Sequence, residues 1–382
     1  MNTDGFQQEG LLRRIPRQPA TLTGELWGIT TYFNPAGYSN KFDHLRLFSE
    51  RIRKQGLKLL IVELAFGDAP YALEESLADR IIRVRSSSVM WQKERLLNIA
   101  IEELPDACDK VVWIDADIFF ENDGWIEETS ALLQEYVVVQ PFESLRFLPR
   151  GYQECPPRGS TLGSHEESRA TYGTAYMRFH DPEQLMIEGD IGHAWAARRS
   201  LWKAHGLYDR SILGGGDGVS AIGMFGYFEL EPVRNLLTTY TSQAQLIDVL
   251  KWMERYYADV KGSVFYAKGS IFHLWHGAEE NRQYSTRHMI LQEADFDPQA
   301  DISLDWNRCW QWSSDKPELH RRVREYFWSR EEQDVNEKVG APGSASESRI
   351  IVDRMRQPKH HSGGSGLQRS HGRHSDRRSG PL

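Results

Sequence analysis

The sequence predicts an α/β chain whose central sheet is mostly parallel and covered by helices on both faces. Two patterns predict it: short, continuously apolar runs of the kind that form strands buried on both sides, and amphipathic stretches of helical period between them. Bulk is the third observation. Of 382 residues, 40% are apolar and 11% aromatic, which is enough for the core of one large domain or two smaller ones.

Taken in order, Leu26 to Phe33 reads as a strand and Asn34-Pro35-Ala36-Gly37 as a loop. Ser39 or Asn40 is then placed to cap a helix carrying Phe42, Leu45, Phe48 and Ile52 on one face. Leu57 to Leu64 and Ile81 to Val84 are the next strands, and a helix from about Trp91 aligns Leu97, Ala100, Ile101 and Leu104. Val111 to Ile114 and Val137 to Val139 follow as strands. The stretch from about Pro149 to Arg169, rich in Gly, Pro, Ser and charge without periodicity, predicts a surface loop or lid. Beyond it, Ala194 to His205 and Gln245 to Ala258 read as helices, Val264 to Trp275 as extended, and His320 to Arg330 as a closing helix. From about Gly340 the Gly, Ser, His and Arg content is too polar to offset the entropy of ordering, which predicts a disordered basic tail.

Charge narrows the partners. The chain carries a net −8, yet between Asp353 and Leu382 seven basic side chains face two acidic ones, so the tail is +5 and the remainder −13. An acidic body lacks the clustered basic face that releases counterions from a polyanion, which argues against specific nucleic-acid binding. Cys108, Cys155 and Cys309 are an odd set without a pairing pattern and suit reduced thiols in a cytoplasmic protein. The apolar stretch around Leu57 to Phe66 is short and contains Lys58 and Glu63, so no membrane-spanning segment or secretory leader is expected.

Ligands of parallel sheets collect at the carboxyl ends of the strands, and the chemistry-bearing residues cluster there. Val111-Val112-Trp113-Ile114 runs directly into Asp115-Ala116-Asp117. Two carboxylates one residue apart offer oxygen ligands to Mn²⁺ or Mg²⁺, and a diphosphate can complete such a shell; the same pattern also occurs in turns and caps. Ile271-Phe272-His273-Leu274-Trp275-His276-Gly277 places two imidazoles at another strand end, with His276 the first choice of ligand. Arg282, Tyr284 and Arg287 follow, able to grip phosphate oxygens or simply to form a solvated helix face. Leu213 to Gly218 is a glycine run ending in Asp217, which could be a general base or a helix cap. Trp195 could stack on a sugar but is expected in the core.

Together these elements resemble the GT-A glycosyltransferases from about Leu26 to Arg287: a first βα unit, Asp115-x-Asp117, a glycine-rich segment ending in an acid, and a late histidine. The resemblance implies a GT-A-like three-layer α/β/α sandwich, with an N-terminal extension over 1–22 and a transferase domain over 23–337. That domain divides into a nucleotide-sugar half (23–145) and an acceptor half (146–337), followed by the disordered tail over 338–382. It implies a Mn²⁺ (or Mg²⁺) ion on Asp115, Asp117 and His276, or His273, with Asp115 also near the ribose. A nucleobase pocket would be lined by Thr31, Tyr32, Phe33 and Glu63, and Lys93, Arg282, Tyr284 and Arg287 would contact the donor. The implied activity is transfer of a hexosyl or N-acetylhexosaminyl group from a nucleotide-diphosphate sugar, UDP favoured, to a glycan or other hydroxyl acceptor. Gly216-Asp217 supplies one carboxylate where the family usually has a pair, and Asp217 as base implies inversion. Three alternatives stand beside this: a sugar-1-phosphate nucleotidyltransferase, disfavoured because no basic residue precedes Lys41 in the first loop; a metallohydrolase; and a non-catalytic nucleotide- or carbohydrate-binding module.

Overall fold

Strand β1 (Glu25–Phe33) is the hinge of the architecture, pairing in parallel with both β2 (Lys58–Phe66) and β4 (Cys108–Ile114). The computed structural model describes residues 15–157, 159–160, 162, 169–174, 189–284 and 286–332. Among these, a seven-stranded sheet runs in the order β10 (Val264–Tyr266), β6 (Val138–Gln140), β9 (Ala194–Arg198), β4, β1, β2 and β3 (Arg80–Ser86). Four of its six pairings are parallel, and β9 is antiparallel to both neighbours. The expected mostly parallel sheet is therefore present.

Side-chain alternation explains the layers. Leu60, Val62, Val111 and Trp113 point to one face, where they pack with α2 (Lys93–Glu103), α4 (Arg199–His205), α5 (Gly216–Phe225) and α7 (Gln243–Val260). Leu59, Ile61, Val112 and Ile114 point to the other, against α1 (Ser39–Lys54) and α3 (Trp125–Glu135). Strands with apolar residues on both faces need helices on both faces, and the result is the expected α/β/α sandwich. Gly28 in β1 has a packing reason, since a Cβ there would lie 2.6 Å from Leu57 Cδ2.

Two expectations are corrected. Ala194–Arg198 is strand β9 rather than the first turn of a helix, which begins only at Arg199; a short run buried on both faces satisfies either period. Helix α1 has Tyr38 at its N-cap, with no side-chain cap from Ser39 or Asn40. Asn34 instead closes the loop before the helix, accepting from Tyr38 N at 2.9 Å and donating to Tyr38 O at 2.8 Å. The predicted loop from Pro149 to Arg169 is described only in part, and the tail over 338–382 lies outside the described residues.

A second sheet, β5 (Ile118–Phe120), β11 (Ser270–His273), β7 (Ser144–Phe147) and β8 (Arg169–Ala170), lies beside the end of β4. Its register sets His273 opposite Ile118, and Leu274 N donates to Asp117 O at 2.8 Å. Helix α6 (Glu231–Tyr240) packs beside α5 and α7, and α8 (Met289–Glu293) leads to the hairpin β12–β13 (Ile302–Leu304, Trp310–Trp312). Helix α9 (Pro317–Ser329) then returns the chain to the carboxyl end of β1, where Tyr38 Oη donates to the carbonyls of Phe327 and Trp328. No helix among the described residues is long and apolar enough to cross a membrane, and all three cysteines are free.

Candidate metal and ligand cleft

The carboxyl ends of β1 and β4, the end of β11 and the start of α5 open onto one cleft of about 220 Å³. Strand β4 ends at Ile114, so Asp115 and Asp117 emerge at its floor, and Asp115 N donates to His193 O at 2.8 Å. Asp117 Oδ2 lies 3.1 Å from His276 Nε2 and 3.7 Å from His273 Nε2, and the two imidazole nitrogens are 2.9 Å apart. Ligand atoms of these three residues all lie within 4.8 Å of one another. Asp117 Oδ1 and His276 Nδ1 are buried without hydrogen-bond partners. A site that gathers a carboxylate and two imidazoles and leaves polar atoms unsatisfied fits a divalent cation, and the nitrogen content suits Mn²⁺ better than Mg²⁺.

Electrostatics keep the donors in ligating form. Burial, assisted by His193 and Arg282, pushes His273 down to about 3 against the pull of Asp117, so its ring is neutral at ordinary pH. Burial opposes ionisation of Asp117, but His273, His44, His193 and Arg282 outweigh it and hold this carboxyl below its usual range. Asp115 moves the other way: burial and repulsion from Asp117 raise it despite Lys93. Lys93 Nζ sits 2.7 Å from Asp115 Oδ1 and 3.4 Å from Asp217 Oδ1. Burial works against its charge, yet Asp115, Asp217 and Glu94 together hold the ammonium above its ordinary value.

No protein-family profile matches the sequence, and no curated protein does. Among solved structures, glucosyl-3-phosphoglycerate synthase from Mycobacterium tuberculosis, in complex with Mn²⁺, uridine diphosphate and glucosyl-3-phosphoglycerate, is 12% identical. Its TM-score is 0.38, with 74% of this chain and 84% of that chain covered. The catalytic domain of Drosophila β1,4-galactosyltransferase 7 in complex with xylobiose is 11% identical, with a TM-score of 0.27 over 52% of this chain and 60% of that one. Likenesses so remote transfer no residue role.

Within this chain, Thr31, Tyr32, Phe33, Lys93, Asp115, Asp117, Asp217, His273, His276, Arg282 and Tyr284 all line the cleft. Two of the anticipated residues do not. Glu63 is buried within β2, three residues before its end, where Oε1 accepts from Ala72 N and Leu73 N and Oε2 lies 3.4 Å from Arg83 Nε. Arg287 is buried against α9, donating to Tyr326 Oη at 2.9 Å, with its guanidinium 4.9 Å from the Tyr284 ring centre. Asp217 sits in the first turn of α5 behind the left-handed Gly215. Trp195 is core, its indole donating to Ile191 O.

The cleft also contains groups that sequence reasoning passed over. His193 has φ +75° and stands 3.3 Å from Asp190 Oδ1. It lies two residues before Trp195, the one residue of this segment that the sequence singles out. Lys41, Arg330 and Glu332 meet from opposite ends of the chain. Glu332 lies 2.7 Å from Lys41 Nζ and 3.0 Å from Arg282 Nη1, and accepts from Arg330 Nε at 2.7 Å. No local pattern announces such a cluster.

Proposed function

We propose that this chain is a divalent-metal-dependent glycosyltransferase that moves a sugar from a nucleotide diphosphate, UDP in the leading case, to a hydroxyl acceptor. The observation that carries the reading is the convergence of Asp117, His273 and His276 beside Arg282, in the same cleft as Asp217 and the half-buried end of β1. A cation held by Asp117, His273 and His276, with Asp115 adjoining, would neutralise charge on a departing diphosphate. Mn²⁺ is preferred on the donor set, with Mg²⁺ the substitute.

The protein's own groups supply the remainder. Thr31, Tyr32 and Phe33 take the nucleobase at the end of β1, where Phe33 is already fixed edge-on to Trp91 at 5.4 Å. Arg282 and Tyr284 contact the diphosphate, and Arg287 orients Tyr284 from behind. Glu63 acts on the base pocket only through the 72–73 backbone it holds. Asp217 takes the proton from the acceptor hydroxyl as the new glycosidic bond forms, with inversion at the anomeric carbon, and Lys93 fixes its carboxylate relative to Asp115. A general base in such a role contributes roughly 10²- to 10⁴-fold to rate. The donor sugar is a hexose or N-acetylhexosamine, and the reduced cysteines suit a cytoplasmic setting.

The test is a thermal-shift panel of nucleotide diphosphates and their sugars, with and without Mn²⁺, because a ligand that binds only the native state raises its melting temperature. Stabilisation by a uridine diphosphate ligand that requires metal and disappears in Asp117→Ala supports the reading. Silence across the whole panel removes it.

A further inference from the structure

Beside the cleft, on the far side of the glycine run, lies a second, partly open cavity of about 90 Å³ between α5, α6 and α7. Its walls are chiefly apolar: Val219 and Ile222 of α5, Leu236 and Leu237 of α6, and Val249 of α7. By the same kind of measure a single water occupies about 10–15 Å³, so the space accommodates a ring or a short chain. Gly215 and Tyr284 line both this cavity and the cleft, so the two spaces adjoin at the residue that precedes the Asp217 turn.

The glycines keep that wall thin. Gly214 and Gly215 have φ +86° and +90°, and a Cβ would lie 3.3 Å from Arg287 Nη2 at the first and 3.2 Å from His288 Cε1 at the second. Left-handed backbone explains why glycine is needed at both positions. It does not explain the cavity. A separate observation points to a ligand: Gln245, 3% exposed in the first turn of α7, lines the cavity, and its Oε1 is buried with no hydrogen-bond partner. Its backbone N–H is engaged by Ser242 Oγ at 3.1 Å, so the residue is fixed in place while its amide oxygen is left over. A buried acceptor of this kind is completed by a donor the chain itself does not supply, a water or a group of a bound ligand.

Resting on the transferase reading above, we infer that the acceptor is amphipathic. Its hydroxyl-bearing part reaches Asp217 in the cleft, and an apolar group, alkyl or aryl, lodges in the cavity with any hydroxyl or amide it carries directed at Gln245. The acceptor passes from one space to the other at the edge they share, beside Gly215 and Tyr284. An acceptor that is polar throughout, such as a free oligosaccharide, leaves the apolar walls unused and gains nothing from this cavity.

The experiment uses the full chain with methyl, hexyl, phenyl and 4-hydroxyphenyl β-glucosides as probes, titrated calorimetrically in the presence of UDP and Mn²⁺. Hexyl glucoside is expected to bind at least about tenfold more tightly than methyl glucoside, since each buried methylene adds to affinity. Leu236→Trp, which fills the cavity, is expected to erase that preference, with the melting shift on UDP and Mn²⁺ showing that the variant is folded. Gln245→Met is expected to erase any preference for 4-hydroxyphenyl over phenyl glucoside and to keep the preference for hexyl over methyl. Equal binding of methyl and hexyl glucosides by the wild type, or a chain-length preference that survives Leu236→Trp, overturns the proposal. The two readings fail separately. A chain-length preference without any response to UDP and Mn²⁺ removes the transferase and with it the acceptor role, whereas a response to UDP and Mn²⁺ without the preference removes the cavity alone.

Discussion

Lys93 Nζ is 2.7 Å from Asp115 Oδ1, and the lysine is almost fully buried. The acid nearest the end of β4 is thus already neutralised by a side chain from α2, while Asp117, two residues on, is the one that faces the histidines. The cleft divides into a carboxylate pair organised by a lysine and a carboxylate organised by imidazoles.

That division makes Lys93 a stabilising residue as well as a cleft residue. Lys93→Met removes the ammonium that bridges Asp115 and Asp217, and removing one partner of a buried pair costs on the order of 3–5 kcal/mol. Melting is expected to fall by several degrees, and added Mn²⁺ is expected to stabilise the variant more than the wild type because the ion supplies the missing positive charge. An unchanged melting temperature would show that the pair contributes nothing to the fold.

The metal cluster predicts a graded response. Asp117→Ala removes the shared carboxylate and is expected to abolish metal-dependent stabilisation. His273→Ala and His276→Ala, each removing one of three donors, are expected to weaken Mn²⁺ by about tenfold or more. Titration calorimetry with Mn²⁺ on the three variants decides the point, and full affinity in either histidine variant excludes that ring from the site.

Much of this was legible in the sequence because it is written locally. The strand ends at Phe33 and Ile114, the acids after the second and the histidines at 273 and 276 are visible in apolar runs and their punctuation. Strand partners are not. Ala194–Arg198 reads equally well as a helix, because a five-residue run buried on both faces has no period of its own. That His273 would sit opposite Ile118, and so beside Asp117, follows from the pairing of β5 with β11, which nothing in either segment specifies. Lys41, Arg330 and Glu332 are invisible for the same reason: their pairing with one another, and with the anticipated Arg282, depends on α9 returning to the mouth of β1. Glu63 shows the converse error, since position at a strand end suggested a ligand contact while its carboxylate is engaged by the 72–73 backbone.

Asp217 separates binding from turnover. Asp217→Asn keeps the shape of the side chain and removes its basicity, so donor affinity is expected to stay near wild type while turnover falls by roughly a hundredfold or more. Steady-state transfer assays beside direct measurement of UDP-sugar binding read both quantities. A loss confined to donor affinity would assign Asp217 to the donor instead of the acceptor.

Glu332 predicts how the cleft behaves in acid. Burial opposes its charge, but Arg330, Lys41 and Arg282 outweigh burial and hold its carboxyl well below the ordinary 4.5. In the unfolded chain this group takes up its proton near that ordinary value, so between about 4.5 and the lower folded value the unfolded state binds more protons than the native one. Its contribution to stability is therefore complete above about pH 4.5 and is lost progressively as the pH falls further. Glu332→Gln is expected to melt lower than the wild type near neutrality and to show a shallower decline in acid, so that the two melting curves approach one another as the pH drops. The same substitution removes the carboxylate partner of Arg282, leaving it held by the His276 carbonyl at 3.1 Å, and is expected to alter UDP affinity at neutral pH. Melting temperatures measured by scanning calorimetry across the acid range provide the check, and parallel curves for the two proteins would mean that Glu332 is not the group on which the cations of the cleft are balanced.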